Sequence, residues 1–482
     1  MADTTDTAGG PGDSGGPGAS GTTGTAGTAS ASGTTGTAGT ASVSGTTGTT
    51  GTARSGAAGP APALRKASWR QIGPGIVVAA TGVGAGDLVA TLIAGSKFGY
   101  TLLWAALVGC LVKISLAEAT GRWHLATGRT MFDGWRSLGP WTSVYFGVYV
   151  VIWGFLYGAT AMSSTALPLA ALFPGMPGGL KTFAIAAGLI GLVLVWFNRY
   201  ARFEKLMTVL IGIKFLIVVY VAIRVVPDLP AAFAGLVPVL PDGSFFYTLG
   251  LIGGVGGTIT MAAYGYWINS KGWTDSSWMK MMRLDNRVAY LTTGVFVVAM
   301  LIIGAELLHA SHIALASGDK GLLELGGILE DRFGAFTAKL FLIGFCATSF
   351  SALVGVWHGV SLLFADFTER IVRGRKGVAE NAVEEVAEGR RERSWPFRAY
   401  MLWLTFPPMG LLWLDEPFGL VIAYGVLGAF FMPFLALTLI WLLNSSRTPR
   451  EWRNSWLSNG MLGAAGLLFV VLCVQQVRDL LR

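Results

Sequence analysis

From Ser68 to the end of the chain, apolar stretches of about twenty residues alternate with short polar ones. A helix of that length crosses the ~30 Å hydrocarbon core of a bilayer. The pattern predicts about eleven such spans, at 72–95, 100–121, 142–164, 181–198, 206–226, 247–268, 288–310, 336–365, 398–414, 417–444 and 456–477. Lys and Arg are spread unevenly between them. Arg65, Lys66 and Arg70 precede the first span, and Arg122, Arg129 and Arg136 follow the second. Every second loop afterwards is basic, through Arg199, Arg202 and Lys205, then Lys271, Lys280, Arg283 and Arg287, then Arg370, Arg373, Arg375, Lys376 and Arg390, and last Arg447, Arg450 and Arg453. The alternate loops are poorer in basic residues and hold Pro, Gly and acids, as in VVPDLP and WLDEP. Basic loops stay on the cytoplasmic side. The N-terminus is therefore predicted inside the plasma membrane and, with an odd number of spans, the C-terminus outside.

Composition agrees. Only 13% of the 482 residues are charged, about half the usual share in a soluble domain. The net charge of +8 would suit a nucleic-acid partner, but the basic residues sit where orientation signals belong. The lipid bilayer is the expected partner, and a monomer is the default state. Cys110, Cys346 and Cys473 all fall inside apolar runs, so buried free thiols are expected rather than a disulfide framework. Residues 1–67 form a Thr/Gly/Ala/Ser-rich tail, with a twelve-residue repeat starting at Ser20, Ser32 and Ser44. It has too little apolar area to offset chain entropy and is expected to be disordered. Residues 68–482 are the membrane domain, and a charged cytoplasmic loop at 366–397 lies within it.

Two spans carry glycines where a helix would be weakened. The first holds Gly82, Gly84 and Gly86 in TGVGAGD, and the sixth holds Gly250, Gly253, Gly254, Gly256 and Gly257 before TITMAAYGYW. Interrupted spans in corresponding positions, five apart, point to an inverted five-plus-five repeat with a substrate site at the repeat interface. Unwound backbone is tolerated at that depth only where it lines a cavity or is buried in protein. The alternative is glycine used for tight helix packing. Asp87 favours the first reading for span one, because an intramembrane carboxylate is costly and packing does not require it.

The run GPGIVVAATGVGAGDLVATLIAGSKFGYTLLW, Gly73 to Trp104, resembles the first helix and the start of the second in NRAMP divalent-metal transporters. GLVPVLPDGSFF before span six, ATG at Ala126–Gly128 and MPF at Met432–Phe434 add to the likeness, which covers most of the chain after residue 68. The resemblance implies an all-α polytopic membrane protein of about eleven transmembrane helices, with a LeuT-like inverted repeat and broken helices one and six. It also locates departures. The family's Asp-Pro-Gly-Asn falls on Gly84, Ala85, Gly86 and Asp87, so the usual ligand Asp is Gly84 and the usual Asn is Asp87. The family's Met-Pro-His stretch falls on TMAAYG, with the ligand Met at Met261 or Ala262. The span-ten Gln falls on Gly425. The charged groups of the family's proton pathway are missing from span three, which has only Tyr145, Tyr149 and Tyr157 as ionisable side chains.

The candidate cargo site therefore comprises Asp87, the carbonyls near Gly82, Gly84, Ala85 and Gly86 and near Thr258–Ala262, the hydroxyls of Thr81, Thr258 and Thr260, and either Met261 or Ala262. Carboxylate, carbonyl and water ligands suit Mg²⁺, Ca²⁺ and Mn²⁺. Mg²⁺ or Mn²⁺ is the expected cargo, carried by alternating access with weak or no proton coupling and no resident cofactor. The alternative cargo is a small organic amine or amino acid held by the same Asp. A non-transporting receptor is a third reading. An enzyme is not expected: HExxH, GxSxG and Cys/His clusters are missing, and the chain has four histidines.

Pathway candidates are Glu118, Lys113, Glu306, His358 and Gly425. Lys113 and Glu118 are also candidates for structural pairing with each other, although a spacing of five is poor for it. Lys214 in span five either snorkels or reaches Asp87. His309 and His312, three apart, lie near the outer end of span seven with Glu306. His358 and Asp366 lie toward the inner half of span eight. Trp267, Trp273 and Trp413 are expected at the membrane interfaces.

Overall fold

Every predicted span is a helix or a pair of helices in the computed structural model, which describes residues 64–197, 200–254, 256–309, 319–374, 391–414 and 417–480. These residues belong to one compact unit, Pro60–Arg482. The expected tail at 1–67 lies outside them up to residue 63, and His312 and Arg390 are outside them too. In chain order the helices are α1 (Pro74–Gly82), α2 (Ala85–Phe98), α3 (Leu103–Thr127), α4 (Met131–Leu138), α5 (Pro140–Leu172), α6 (Gly179–Phe197), α7 (Tyr200–Arg224) and α8 (Leu229–Ala234). They continue as α9 (Phe245–Gly254), α10 (Tyr264–Ser270), α11 (Met279–Gly304), α12 (Asp319–Phe333), α13 (Ala335–Gly374), α14 (Trp395–Met409), α15 (Pro417–Asn444) and α16 (Trp456–Leu480). Among the described residues, seven helices are long and apolar enough to cross a membrane. The first and sixth spans miss that length because each is split, into α1 and α2 and into α9 and α10.

The split helices are placed by packing. Helix α1 opens with Pro74 at its first position, where a missing N–H costs nothing. The Asp285 carboxylate of α11 accepts the Gly73 N–H at 2.9 Å, the Gly75 N–H at 2.6 Å and the Tyr264 hydroxyl at 2.9 Å. A carboxylate is favourable at a helix N-terminus, and this one ties α1, α10 and α11 together. Gly75 leaves it room, since a Cβ there would lie 2.7 Å from Asp285 Oδ2. Asp285→Ala is expected to cost about 1–3 kcal/mol, because two buried N–H groups lose their acceptor. Asp285→Asn, which keeps an acceptor, should recover part of that loss in thermal unfolding of the detergent-solubilised protein.

Some sequence expectations need correction. Trp267 and Trp273 are fully buried inside the protein rather than at an interface, while Trp413 is exposed. Trp267 is buried because its indole N–H donates to His358 Nδ1 at 3.0 Å. The charged loop does not begin at 366, because α13 runs on to Gly374 and Asp366 is a fully buried member of it. Cys110 is buried, and Cys346 and Cys473 are partly so, each outside any disulfide.

Candidate functional site

The break in span one is short. Helix α1 closes with the Val83 N–H on the Ala79 carbonyl at 3.3 Å, and α2 opens with the Leu88 N–H on the Gly84 carbonyl at 3.3 Å. Val83, in extended backbone, links the two. Such a break leaves the last carbonyls of α1 without helical partners. The span-six break is longer. It runs through Gly256 (φ +67°), Gly257 (φ +85°) and Thr258, then a single tight turn at Ile259–Met261 that leads into α10. Two consecutive positive φ angles suit glycine alone.

The two breaks touch. The Gly257 N–H donates to the Gly82 carbonyl at 2.8 Å. A Cβ on Gly82 would lie 2.5 Å from the Gly257 nitrogen. Glycine at both positions is what brings backbone against backbone here.

The sequence reading has these carbonyls open to a cargo ion. In this conformation protein donors hold the Gly82 and Val83 carbonyls of that set, and the neighbouring ones of Ala80 and Gly257. The Lys214 ammonium donates to the Ala80 carbonyl at 3.1 Å, the Val83 carbonyl at 3.4 Å and the Ser351 hydroxyl at 3.4 Å. Ser351 Oγ itself donates to the Ala80 carbonyl at 2.8 Å. At the other break the Lys113 ammonium donates to the Gly257 carbonyl at 2.6 Å. The reason is general: a carbonyl released from a helix inside an apolar interior must be paired with something. Lys113 therefore does not pair with Glu118. That carboxylate accepts from Arg122 at 3.1 Å and Arg283 at 3.0 Å.

The other predicted site residues fall as follows. Asp87 is the third residue of α2, one turn past the break, and the side chains of Ala85, Gly86 and Asp87 lie outside the described residues. Among the described residues, a Cβ on Gly84 would meet the Ala352 methyl at 3.7 Å. The Thr81 hydroxyl donates to the Val77 carbonyl of its own helix at 2.7 Å. Thr260, Met261 and Ala262 are buried in the tight turn after Gly257, and a Cβ on Gly257 would reach Met261 Cγ at 3.6 Å. Thr258 lies against Gly428 of α15. Gly425 belongs to the same helix, but its surroundings are outside the described residues. Among the described residues no group of three or more His, Cys, Asp and Glu is placed to hold a metal ion.

Below the breaks, at the end carrying the basic loops, polar contacts close the space between helices. Asp366 of α13 accepts the Thr130 and Tyr266 hydroxyls, each at 2.6 Å, Arg370 Nε at 2.9 Å and Arg391 Nη2 at 3.1 Å. Arg370 also pairs with Asp133 of α4, whose carboxyl burial pushes up in spite of that guanidinium. His358 stacks on Phe203 at 4.1 Å and meets Glu392 at 3.1 Å. Lys271 pairs with Glu204 beside Gly73. Helix α10 is thus held to α11 through Tyr264 and to α13 through Tyr266 and Trp267. At the opposite end, Glu306 accepts the Tyr100 hydroxyl and the Asp228 N–H. Sequence reasoning placed Asp366 but not its partners. Nor did it find Ser351 or Asp285, whose roles show only when distant helices are brought together.

The likeness seen in the sequence extends to known proteins. The family model "Natural resistance-associated macrophage protein-like" matches residues 75–478. The divalent metal cation transporter MntH of Granulibacter bethesdensis is 25% identical over 315 residues, covering 60% of this chain and 67% of that protein. MntH of Bacillus subtilis is 25% identical over 310 residues, covering 59% and 69%. In structure, the chain is similar to the Eremococcus coleocola manganese transporter, with a TM-score of 0.66 at 16% identity over 86% of this chain and 90% of that one. It is also similar in fold to MhsT solved with L-phenylalanine, with a TM-score of 0.52 at 14% identity over 83% and 98%. The broken spans, the contact between them and the match along most of its length place this chain in the natural resistance-associated macrophage protein family of multi-pass membrane transporters.

Proposed function

We propose that this protein carries a divalent metal cation across the membrane by alternating access, with Mn²⁺ or Mg²⁺ as cargo. The observation that carries the reading is the Gly257–Gly82 hydrogen bond, which joins the two unwound segments. The family and its relatives, named as divalent metal and manganese transporters, support the cargo class. Asp87, one turn past the first break, supplies the negative charge. Carbonyls and hydroxyls around Thr258 and Thr260 supply neutral oxygens. A set of this kind favours a hard divalent ion that keeps part of its water. The closed, polar-bonded end beside the basic loops is the cytoplasmic side by the distribution of Lys and Arg, which puts the N-terminus inside.

The test is uptake of Mn²⁺, Mg²⁺ and Ca²⁺ into proteoliposomes with an internal pH dye, comparing wild type with Asp87→Ala. Divalent uptake that the substitution reduces at least about 100-fold is expected, the scale of losing a charged ligand. Little internal acidification should accompany it. Folded wild-type protein that moves none of the three ions would overturn the metal reading and direct the search to organic amines.

A further inference from the structure

Lys214 rises from α7 into the middle of the protein and is 2% exposed. Its ammonium lies among oxygens of two other helices, the Ala80 and Val83 carbonyls at the end of α1 and the Ser351 hydroxyl of α13. Three features make this an oxygen cage for a small cation. The carbonyls are those released where α1 unwinds. They lie at the C-terminal end of a half-helix, where the backbone dipole is negative and a positive charge is favourable. Carbonyls and half-helix C-termini of this kind hold the coupling cation in transporters with discontinuous helices. The cage also joins α1 to α13, which meet so closely here that a Cβ on Gly355 would lie 1.9 Å from Thr81 Oγ1.

We infer that Lys214 is a tethered cation, fixed where a transporter of this architecture would otherwise bind an alkali-metal ion, and that it holds the unwound end of α1 against α13. It is a positioning residue and does not touch the cargo. This protein thus needs no dissolved monovalent cation at that place. A small cavity is lined by Lys214 itself together with Ala79, Val83, Ile211, Thr293 and Phe296. Truncating the side chain therefore leaves space that a sodium ion and its remaining water can fill. The inference rests on the transport reading for its flux arm and is independent of it for its binding arm.

Wild type, Lys214→Ala and Lys214→Met are compared in sodium, lithium and choline media. The binding arm is thermal unfolding of the purified proteins without divalent ions. Sodium is expected to raise the Tm of Lys214→Ala above its value in choline and to leave wild type and Lys214→Met, whose cage stays filled, unmoved. The flux arm is Mn²⁺ uptake in proteoliposomes. Wild type is expected to be indifferent to the medium. Lys214→Ala should fall about ten- to a hundred-fold in choline, the scale of one charge-assisted hydrogen-bond set, and recover in sodium. A sodium shift in wild type equal to that of Lys214→Ala, or no sodium shift in either, overturns the inference. Lys214→Ala flux equal to wild type in choline overturns it too. If wild type carries no Mn²⁺ but sodium still stabilises Lys214→Ala selectively, the cargo reading fails and this inference stands.

Discussion

Gly82→Ala will reduce transport to background, although it adds one methyl group. A Cβ at this position would sit 2.5 Å from the Gly257 nitrogen and 2.6 Å from the Gly256 carbonyl carbon, and both are backbone atoms that cannot rotate aside. The span-six break must then move, and the Gly257–Gly82 hydrogen bond that joins the two breaks is lost. Overpacking of this kind costs about 1–3 kcal/mol in a well-packed interior. Here it falls on the two unwound segments, so function suffers before folding does. The measurement pairs Mn²⁺ uptake with thermal unfolding, using Gly463→Ala in α16 as the control. A Cβ at Gly463 meets no atom of the described residues within 4 Å, so that variant should melt at or slightly above wild type, as expected when a helical glycine becomes alanine. Gly82→Ala protein that transports at the wild-type rate would show that the breaks do not need backbone contact.

Asp366→Ala will be the most destabilising single substitution at the end with the basic loops. The carboxylate is fully buried and accepts four donors, from α4, α10, its own helix and the segment before α14. Removing it takes from Arg391, 8% exposed in its side chain, its nearer carboxylate and leaves Glu369 at 3.9 Å. Removal of one partner from a buried ion pair typically costs about 3–5 kcal/mol. Asp366→Asn keeps the shape and one acceptor, so it should lose less. Thermal unfolding of the three proteins checks the order. If Asp366→Ala melts with wild type, the network does not hold that end closed. Opening there would require α10 to leave both Asp366 and Asp285, which makes these two carboxylates the contacts to follow in any second conformation.

The order along the chain was legible from local rules. Apolar run length gave the spans, because backbone in lipid must satisfy its own hydrogen bonds and so becomes helix. Glycine clusters marked the two breaks, because only glycine accepts angles such as those at Gly256 and Gly257. The GPG-to-LLW run pointed to the family without any contact being known. Each of these signals lies within a few residues of its effect.

Partner choice was decided by the tertiary structure. Lys113 finds Gly257, 144 residues away, rather than Glu118 five residues along its own helix. Lys214 finds Ala80 and Ser351, at separations of 134 and 137 residues. Trp267 turns inward to His358 across 91 residues, against the usual placement of tryptophan at a membrane interface. Hydropathy treats each of these as a lone polar or aromatic group in an apolar span. It carries no record of which distant carbonyl has been left unpaired. The requirement that buried donors and acceptors meet holds for the whole fold at once. The sequence could therefore say that the helices break and that charges lie nearby, and only the packed helices could say which oxygen each charge holds.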